Sequence, residues 1–248
     1  EAAALPPGEA FTFDVLIVDE GQDFSERWRD LALRHAAPHA RILWLEDPLQ
    51  NLYGRSPVVL PGWVSLRADS NFRSPRAVVR MLRELMPGNA AIEAASPIAT
   101  SEVSFLVYQD GAQMPERVKE AIRLCYSEGF RKEDLAIVSW RGRENSQLIH
   151  LDRLGANTLK HFTGEFDLLG EALYTDGDVL VESVYRFKGQ SAPAVILAEV
   201  DFDELDERAL RKLFVGATRA MLKLVIVLSA RADAQIRSRL GSSADAAA

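Results

Sequence analysis

Short, continuously apolar runs rich in β-branched residues punctuate the chain. They are "FDVLIVDE" at 13–20, "ARILWLED" at 40–47, "EDLAIVSW" at 133–140, "PAVILAEVD" at 193–201 and "LKLVIVLSA" at 222–230. A strand with one wet face alternates apolar and polar residues, whereas a run that is apolar throughout reads as a parallel strand covered on both faces. "VSFLVYQD", "DVLVESVYRFKG" and the segment "WVSLRADSNFRS" add further expected strands. Stretches with apolar residues at helical spacing lie between these runs. "SERWRDLALRHAA" has Ser25 as an N-cap, and "SPRAVVRMLRELM" has Pro75 at its start and stops before Pro87-Gly88. "MPERVKEAIRLCYSEG" ends at Gly129, and "ENSQLIHLDRLG" and "DERALRKLFVGATRA" complete the set of expected helices. Strands alternating with helices predict an α/β fold of parallel sheets flanked by helices.

Such sheets present their sites at the carboxyl ends of the strands. "DEGQDF", "EDPLQ" and "YRFKGQ" fall there, as does the segment before "SNFRS". With 248 residues, one large or two small domains fit. The Gly/Ala/Ser/Pro-rich stretch 88–100 is a candidate boundary. The opening "EAAALPPGEA" reads as a linker or domain edge, and "LGSSADAAA" as a disordered tail.

No apolar run approaches the roughly 20 residues that span a membrane, and no charged-then-apolar leader marks secretion. The single cysteine, Cys125, excludes an internal disulfide framework and reads as a small core residue on a helix. A cytoplasmic protein without a membrane partner is the expectation. His35 and His39 stand four apart with Pro38 between them, which is not metal-ligand spacing on a helix. The net charge of −7 gives the whole molecule no attraction for polyanions, so a nucleic-acid role must use local arginines. These cluster in "RWRDLALRH", "SPRAVVRMLRE" and "SWRGRE", each of which also fits a solvated helix or loop face.

Asp19 and Glu20 arrive together at the tip of the first apolar run. This pair suits phosphate chemistry: Asp can hold a hydrated Mg²⁺, and Glu can orient and deprotonate an attacking water. Taken alone the pair is weak evidence, because acids also favour helix starts. Five segments in order make a stronger case. "VDEGQDF", "LWLEDPLQNLY", "LRADSNFRS", "SVYRFKGQSAPAVIL" and "FVGATRA" resemble motifs II, III, IV, V and VI of superfamily-one DNA helicases of the UvrD/Rep type. The separations, about 28 positions from Asp19 to Asp47 and about 24 on to Asn71, match one or two strand–helix units.

The resemblance implies RecA-like parallel sheets flanked by helices. Residues 1–70 would form a partial first motor domain, 71–231 a complete second one and 232–248 a disordered tail. It implies ATP and Mg²⁺ as cofactors and single-stranded DNA as partner, with RNA left open because discrimination rests on 2′-hydroxyl contacts. Asp19 would coordinate Mg²⁺ and Glu20 would be the catalytic base. Arg73 and Arg219 would reach the γ-phosphate, where guanidinium groups neutralise developing charge. Gln50 would sense that phosphate, Phe72 would lie against the adenine, and Lys188 and Gly189 would belong to the loop between ATP and DNA. Tyr53, Arg55, Ser183 and Tyr185 would lie on the DNA path. Taken singly, Arg73 and Arg219 read as ordinary surface arginines, Phe72 and Tyr53 as core aromatics, and Gln50 as a turn cap.

Several positions depart from the family pattern. Glu46 precedes Asp47 where Gly is usual, and Arg55 stands where a second aromatic is common. Ser183 and Tyr185 replace a usual Thr and His, and Ser191 replaces the acid that would meet the ATP ribose. No Gly-x-x-x-x-Gly-Lys-Ser/Thr loop occurs to cradle the phosphates. The expectation is therefore that this is the carboxy-terminal part of a longer helicase, inactive alone, whose amino-terminal segment supplies that loop. The span between about Gly155 and Asp178 is too short for an accessory domain. The alternative readings are a non-catalytic helicase-derived regulatory or scaffold module, favoured slightly by Ser191 and the acidic charge, or an RNA-directed enzyme.

Overall fold

A computed structural model describes residues 12–86, 92–97 and 102–245. The expected linker at 1–10, the Pro87-Gly88 stop and most of the expected boundary stretch lie outside these residues. The chain divides into two compact units, Glu1–Arg67 and Ala68–Ala248.

The first unit holds β1 (Phe13–Val18), α1 (Glu26–Leu33) and β2 (Ala36–Trp44). The side chain of Ser25 accepts from Trp28 N at 3.3 Å, the expected N-cap. The strands pair in parallel, with Ile17 beside Leu43 and Val18 beside Trp44. The sequence predicts a strand buried on both faces, and here the structure differs. Phe13, Val15, Ile17 and Leu43 share one face of a two-stranded sheet and are each about half exposed, whereas Val18 on the other face is buried. Among the described residues, that face of the two strands is left about half open.

In the second unit, the short strands β3 (Ser70–Asn71) and β4 (Glu93–Ala94) pair around α2 (Arg76–Leu85). The elements that follow are β5 (Ser104–Tyr108), α3 (Met114–Ser127), β6 (Leu135–Ser139), β7 (Arg153–Leu154), β8 (Asn157–Lys160), β9 (Phe162–Phe166), β10 (Ala172–Tyr174), β11 (Val179–Ser183), β12 (Ala192–Val200), α4 (Glu207–Ala217), β13 (Ala220–Ser229) and α5 (Ala230–Asp245). Seven of these strands form one sheet in the order β5-β13-β12-β6-β11-β8-β7, parallel except for the edge strand β7.

Helices cover both faces of this sheet. Ala194, Ile196 and Ala198 of β12 join a buried cluster with Val118, Ala121, Ile122 and Cys125 of α3. Leu197 points the other way, and its Cδ1 would lie 2.7 Å from a Cβ at Gly216 of α4. Leu197 is thus in van der Waals contact with a helix that can come this close because Gly216 has no side chain. The α/β expectation of a parallel sheet flanked by helices is met. Cys125 is fully buried, and burial pushes its thiol up to about 11, so it is an inert core residue.

Two expectations fail for physical reasons. "ENSQLIHLDRLG" forms turns instead of a helix. Ser146 Oγ accepts from Leu148 N and Ile149 N, and the carboxylate of Glu199 accepts from Gln147 N, so side chains take donors that a helix would use. The tail expected from residue 232 is instead most of α5. Ala232 and Ile236 bury themselves on its inner side, and α5 packs against α2 and the edge of the sheet.

At Gly177 a Cβ would meet the backbone of β8, 2.4 Å from Leu159 C and 2.5 Å from Lys160 N. Backbone cannot yield as a side-chain tip can. Gly177→Ala is expected to destabilise the second unit by roughly 1–3 kcal/mol, read from urea denaturation.

Candidate functional site

In the first unit, parallel pairing sets the carboxyl ends of β1 and β2 side by side. The two acidic segments that follow them are joined by a chain of hydrogen bonds. Gln22 donates to the carboxylate of Glu20 and accepts from Asp47 N at 2.9 Å. Asp47 in turn accepts from Gln50 Nε2 at 2.8 Å. Gly21 N donates to Leu45 O at 2.8 Å, and a Cβ at Gly21 would overlap the Trp44 indole. Only glycine fits there, so the spacing "DEG" is a packing requirement. Glu20 adopts a left-handed backbone (φ 54°, ψ 40°), a strained conformation of the kind that collects at functional sites. Asp19 is exposed, and its Oδ1 accepts from Glu20 N at 2.9 Å. Asp19, Glu20 and Gln50 are thus brought together. The residue that links them, Gln22, is 5% exposed and was not among the sequence candidates, although it stands inside the quoted motif.

Tyr53 is exposed and Arg55 is partly buried. The Arg55 guanidinium lies 4.7 Å above the Trp28 ring and 6.0 Å from that of Tyr53. Its stacking is met by a protein aromatic that the sequence reading did not single out.

In the second unit, motifs IV, V and VI converge at the amino ends of β12 and β13. Asn71 Oδ1 accepts from Arg73 N and Ser74 N, a turn that leaves Phe72 and Arg73 exposed. Ser74 Oγ donates to Thr218 O at 3.3 Å, which ties the residue after Arg73 to the one before Arg219. Arg219 is 2% exposed: it donates to Val215 O at 3.0 Å, Thr218 Oγ1 at 3.2 Å and Gln190 O at 3.4 Å. The side chain expected to reach a phosphate is thus folded onto the end of its own helix and onto the loop that carries Lys188 and Gly189. That loop, 184–191, returns the chain from the carboxyl end of β11 to the amino end of β12. Gly189 takes φ +81° at its exposed bend.

Ser183 and Tyr185 lie at the opposite edge, where β11 ends. Ser183 is buried, and its Oγ accepts from Arg186 N at 3.3 Å, so it caps a turn and offers no surface. The Tyr185 ring is half-buried with Lys212 Nζ 5.1 Å from its centroid, and the same ammonium lies 4.8 Å from that of Trp140. Burial, aided by Arg208, pulls the Lys212 ammonium down to about 8. A cavity beside this cluster is lined by Trp140, Phe202, Asp203, Asp206, Arg208 and Lys212. On β12, Glu199 is 1% exposed with φ 61° and accepts from Ser139 Oγ, Ser146 Oγ (2.6 Å) and Gln147 N (2.7 Å). Glu199 therefore fixes the loop that follows β6, which begins with Trp140. In the sequence it sits inside an apolar run, and a lone acid there is the signal that could have found it. Among the described residues no group of His, Cys, Asp and Glu is arranged to hold a metal by itself.

Comparison with known proteins bears on this second unit. Residues 178–227 match the family described as UvrD-like helicase C-terminal domain. That segment is similar to the UvrD-like helicase type. It spans β11 to most of β13 and contains Tyr185, Lys188, Gly189 and Arg219, so motifs V and VI lie inside the UvrD-like match. The C-terminal domain of a possible DNA helicase from Lactobacillus plantarum WCFS1 is similar over 68% of this chain and 96% of its own, with 18% identity and a TM-score of 0.47. Arterivirus nonstructural protein 10, a helicase, is similar over 89% of this chain and 40% of its own, with 17% identity and a TM-score of 0.40. Likeness at this level transfers no residue roles. No curated protein matches significantly.

Two outcomes test this geometry. Glu199→Ala leaves two buried hydroxyls and one partly exposed backbone N–H without their acceptor, and it is expected to cost roughly 2–4 kcal/mol in urea denaturation. Lys212 binds its proton less tightly folded than unfolded, so its charge opposes folding at neutral pH. That penalty fades between pH 8, where the folded group titrates, and 10.5, the ordinary lysine value. The melting temperature of the wild type is expected to rise relative to Lys212→Met across that window.

Proposed function

We propose that this chain carries motifs II to VI of an ATP-driven translocase or helicase acting on single-stranded DNA. Residues 1–70 belong to a partial first RecA-like domain and 71–231 to a second. One observation carries the reading. Motifs far apart in sequence are stitched together within each unit, II to III through Gln22 and IV to VI through Ser74, with V joined by Arg219. Each unit taken by itself thus gathers its motif residues in one place, as the motor reading requires.

The residues present fit Mg²⁺ and ATP. Asp19 offers an exposed carboxylate, the hard oxygen ligand that Mg²⁺ takes. Bound Mg²⁺-ATP supplies the transferable phosphoryl group and the charge that the arginines answer. Glu20 orients the attacking water and takes its proton. Gln50, fixed by Asp47, reports on the terminal phosphate. Arg73 neutralises charge there, and Arg219 joins it by releasing the carbonyls of Val215 and Gln190. Phe72 covers the adenine, Lys188 and Gly189 couple nucleotide to nucleic acid, and Tyr53, Arg55 and Tyr185 line the strand's path. Ser183 acts by shaping the turn under Tyr185. The phosphate-binding loop comes from the amino-terminal part of the longer protein. The open apolar face of β1 and β2 supports this, since a parallel strand of this composition needs cover on both sides.

A second reading, a helicase-derived regulatory or scaffold module, draws on the burial of Arg219. DNA-stimulated ATPase separates the two. The chain extended by its upstream residues is expected to turn over ATP, and the chain alone is not. In the extended chain Glu20→Gln should lower kcat by ~10²–10⁴-fold. Arg73→Ala should lower it by ~10³-fold or more. Unchanged turnover in Glu20→Gln would sink the motor reading. Competition between matched DNA and RNA oligonucleotides decides the substrate.

A further inference from the structure

Strands β9 and β10 form an antiparallel hairpin between β8 and β11, with Phe166 opposite Ala172 and Phe162 opposite Tyr174. Its tip carries Leu168 and Leu169 at relative exposures of 105% and 87%, beside an exposed Phe166. Scattered exposed leucines are ordinary, but adjacent ones on a protruding turn mark a contact surface.

The tip is held in one shape. Asp167 Oδ1 accepts from Leu169 N and Glu171 N, both at 2.8 Å. Gly170 N donates to Asp167 O, and Gly170 takes φ +83°, which a side chain would disfavour. The root is equally fixed. The ring of Phe162 packs against Phe166 and Tyr174, with the Arg186 guanidinium 3.6 Å from its centroid. Thr175 N donates to His161 O at 2.9 Å, and His161 N donates to Thr175 Oγ1 at 3.0 Å. A preordered tip loses little entropy on docking.

Charge selects the occupant. Residues 161–176 contain no lysine or arginine but include Glu165, Asp167, Glu171 and Asp176, and the cations that touch the hairpin, Lys160, Arg143 and Arg186, sit at its root against Tyr174 and Phe162, away from the tip. A tip flanked by Glu165, Asp167 and Glu171 repels nucleic-acid phosphates and anionic lipid headgroups alike. We propose that Leu168 and Leu169 dock into an apolar pocket on a partner protein whose rim carries lysine or arginine. The leucines supply the buried anchor, and the acids give orientation and specificity. This goes beyond the motor reading, because the tip holds none of the motif residues and its test does not read ATP turnover.

The test pans the intact chain against a displayed random-peptide library, with counter-selection on Leu168→Ser/Leu169→Ser. Both side chains are exposed, so the variant is expected to melt as the wild type does. Recovered peptides should combine apolar residues with Lys or Arg and bind the wild type about tenfold or more tightly than the variant. Their binding should weaken in Glu165→Lys/Glu171→Lys and as salt rises from ~50 to ~300 mM. Three results would overturn the proposal: no peptides that the leucine variant loses, peptides without basic residues, or binding indifferent to the acid-to-lysine change. Vesicle co-sedimentation and the sedimentation velocity of the chain alone check two other occupants. Leucine-dependent binding to phosphatidylserine vesicles would assign the tip to lipid, and leucine-dependent dimerisation would assign it to a second copy. Either result also refutes the proposal.

Discussion

Strands β6 and β12 are apolar on both faces, and in the second unit that constraint decides where charge can go. Between α3 on one side and α4 on the other these central strands keep almost no wet surface, so polar chemistry is pushed to the strand ends. The exceptions are informative. Glu199 breaks the apolar run of β12 near its end, and its carboxylate is met by two hydroxyls and a backbone amide. A buried acid survives when its lone pairs are answered. Here one answering hydroxyl is Ser139, the last residue of β6, and the other two groups come from the connection after it, which loses its helix in the process.

The two edges of the sheet divide the labour. The carboxyl edge gathers Trp140, Tyr185 and Lys212, an aromatic cluster around one half-buried ammonium. The amino edge gathers Arg73, Arg219 and the 184–191 loop. Because β11 and β12 run the same way, the chain between them must travel from one edge to the other. A loop that spans both edges is placed to feel events at either one. Arg219 sits at the receiving end, held by Gln190 of that same loop.

Much of this was legible in the chain itself. Continuous β-branched runs announced parallel strands, and α3 and α4 followed from apolar spacing, α3 with its end at Gly129; the Asp206 cap of α4 came from the structure. The polar clusters at strand tips were visible as breaks in those runs. The linkers within them were less visible: "DEGQDF" offers several polar groups, and only the strand register, which brings Asp47 N to the carbonyl of Gln22, singles that residue out. The "ENSQLIH" segment has helical spacing, and only the distant Glu199 shows why it does not form a helix. The last stretch looked polar and small, yet two well-placed apolar residues, Ala232 and Ile236, were enough to seat α5.

The sequence alone determined the class of fold and the order of the motifs, because both depend on local chemistry: periodicity, chain-stiffening residues and acids at strand ends. Tertiary structure decided which residues meet and which are withheld. Arg219 is buried instead of offered, Ser183 supports a turn instead of a surface, and Leu168 and Leu169 project where the spacing of the chain suggested only a short connection. These outcomes depend on which distant donor, carbonyl or ring each side chain finds, and that pairing exists only once the strands have taken their places in the sheet.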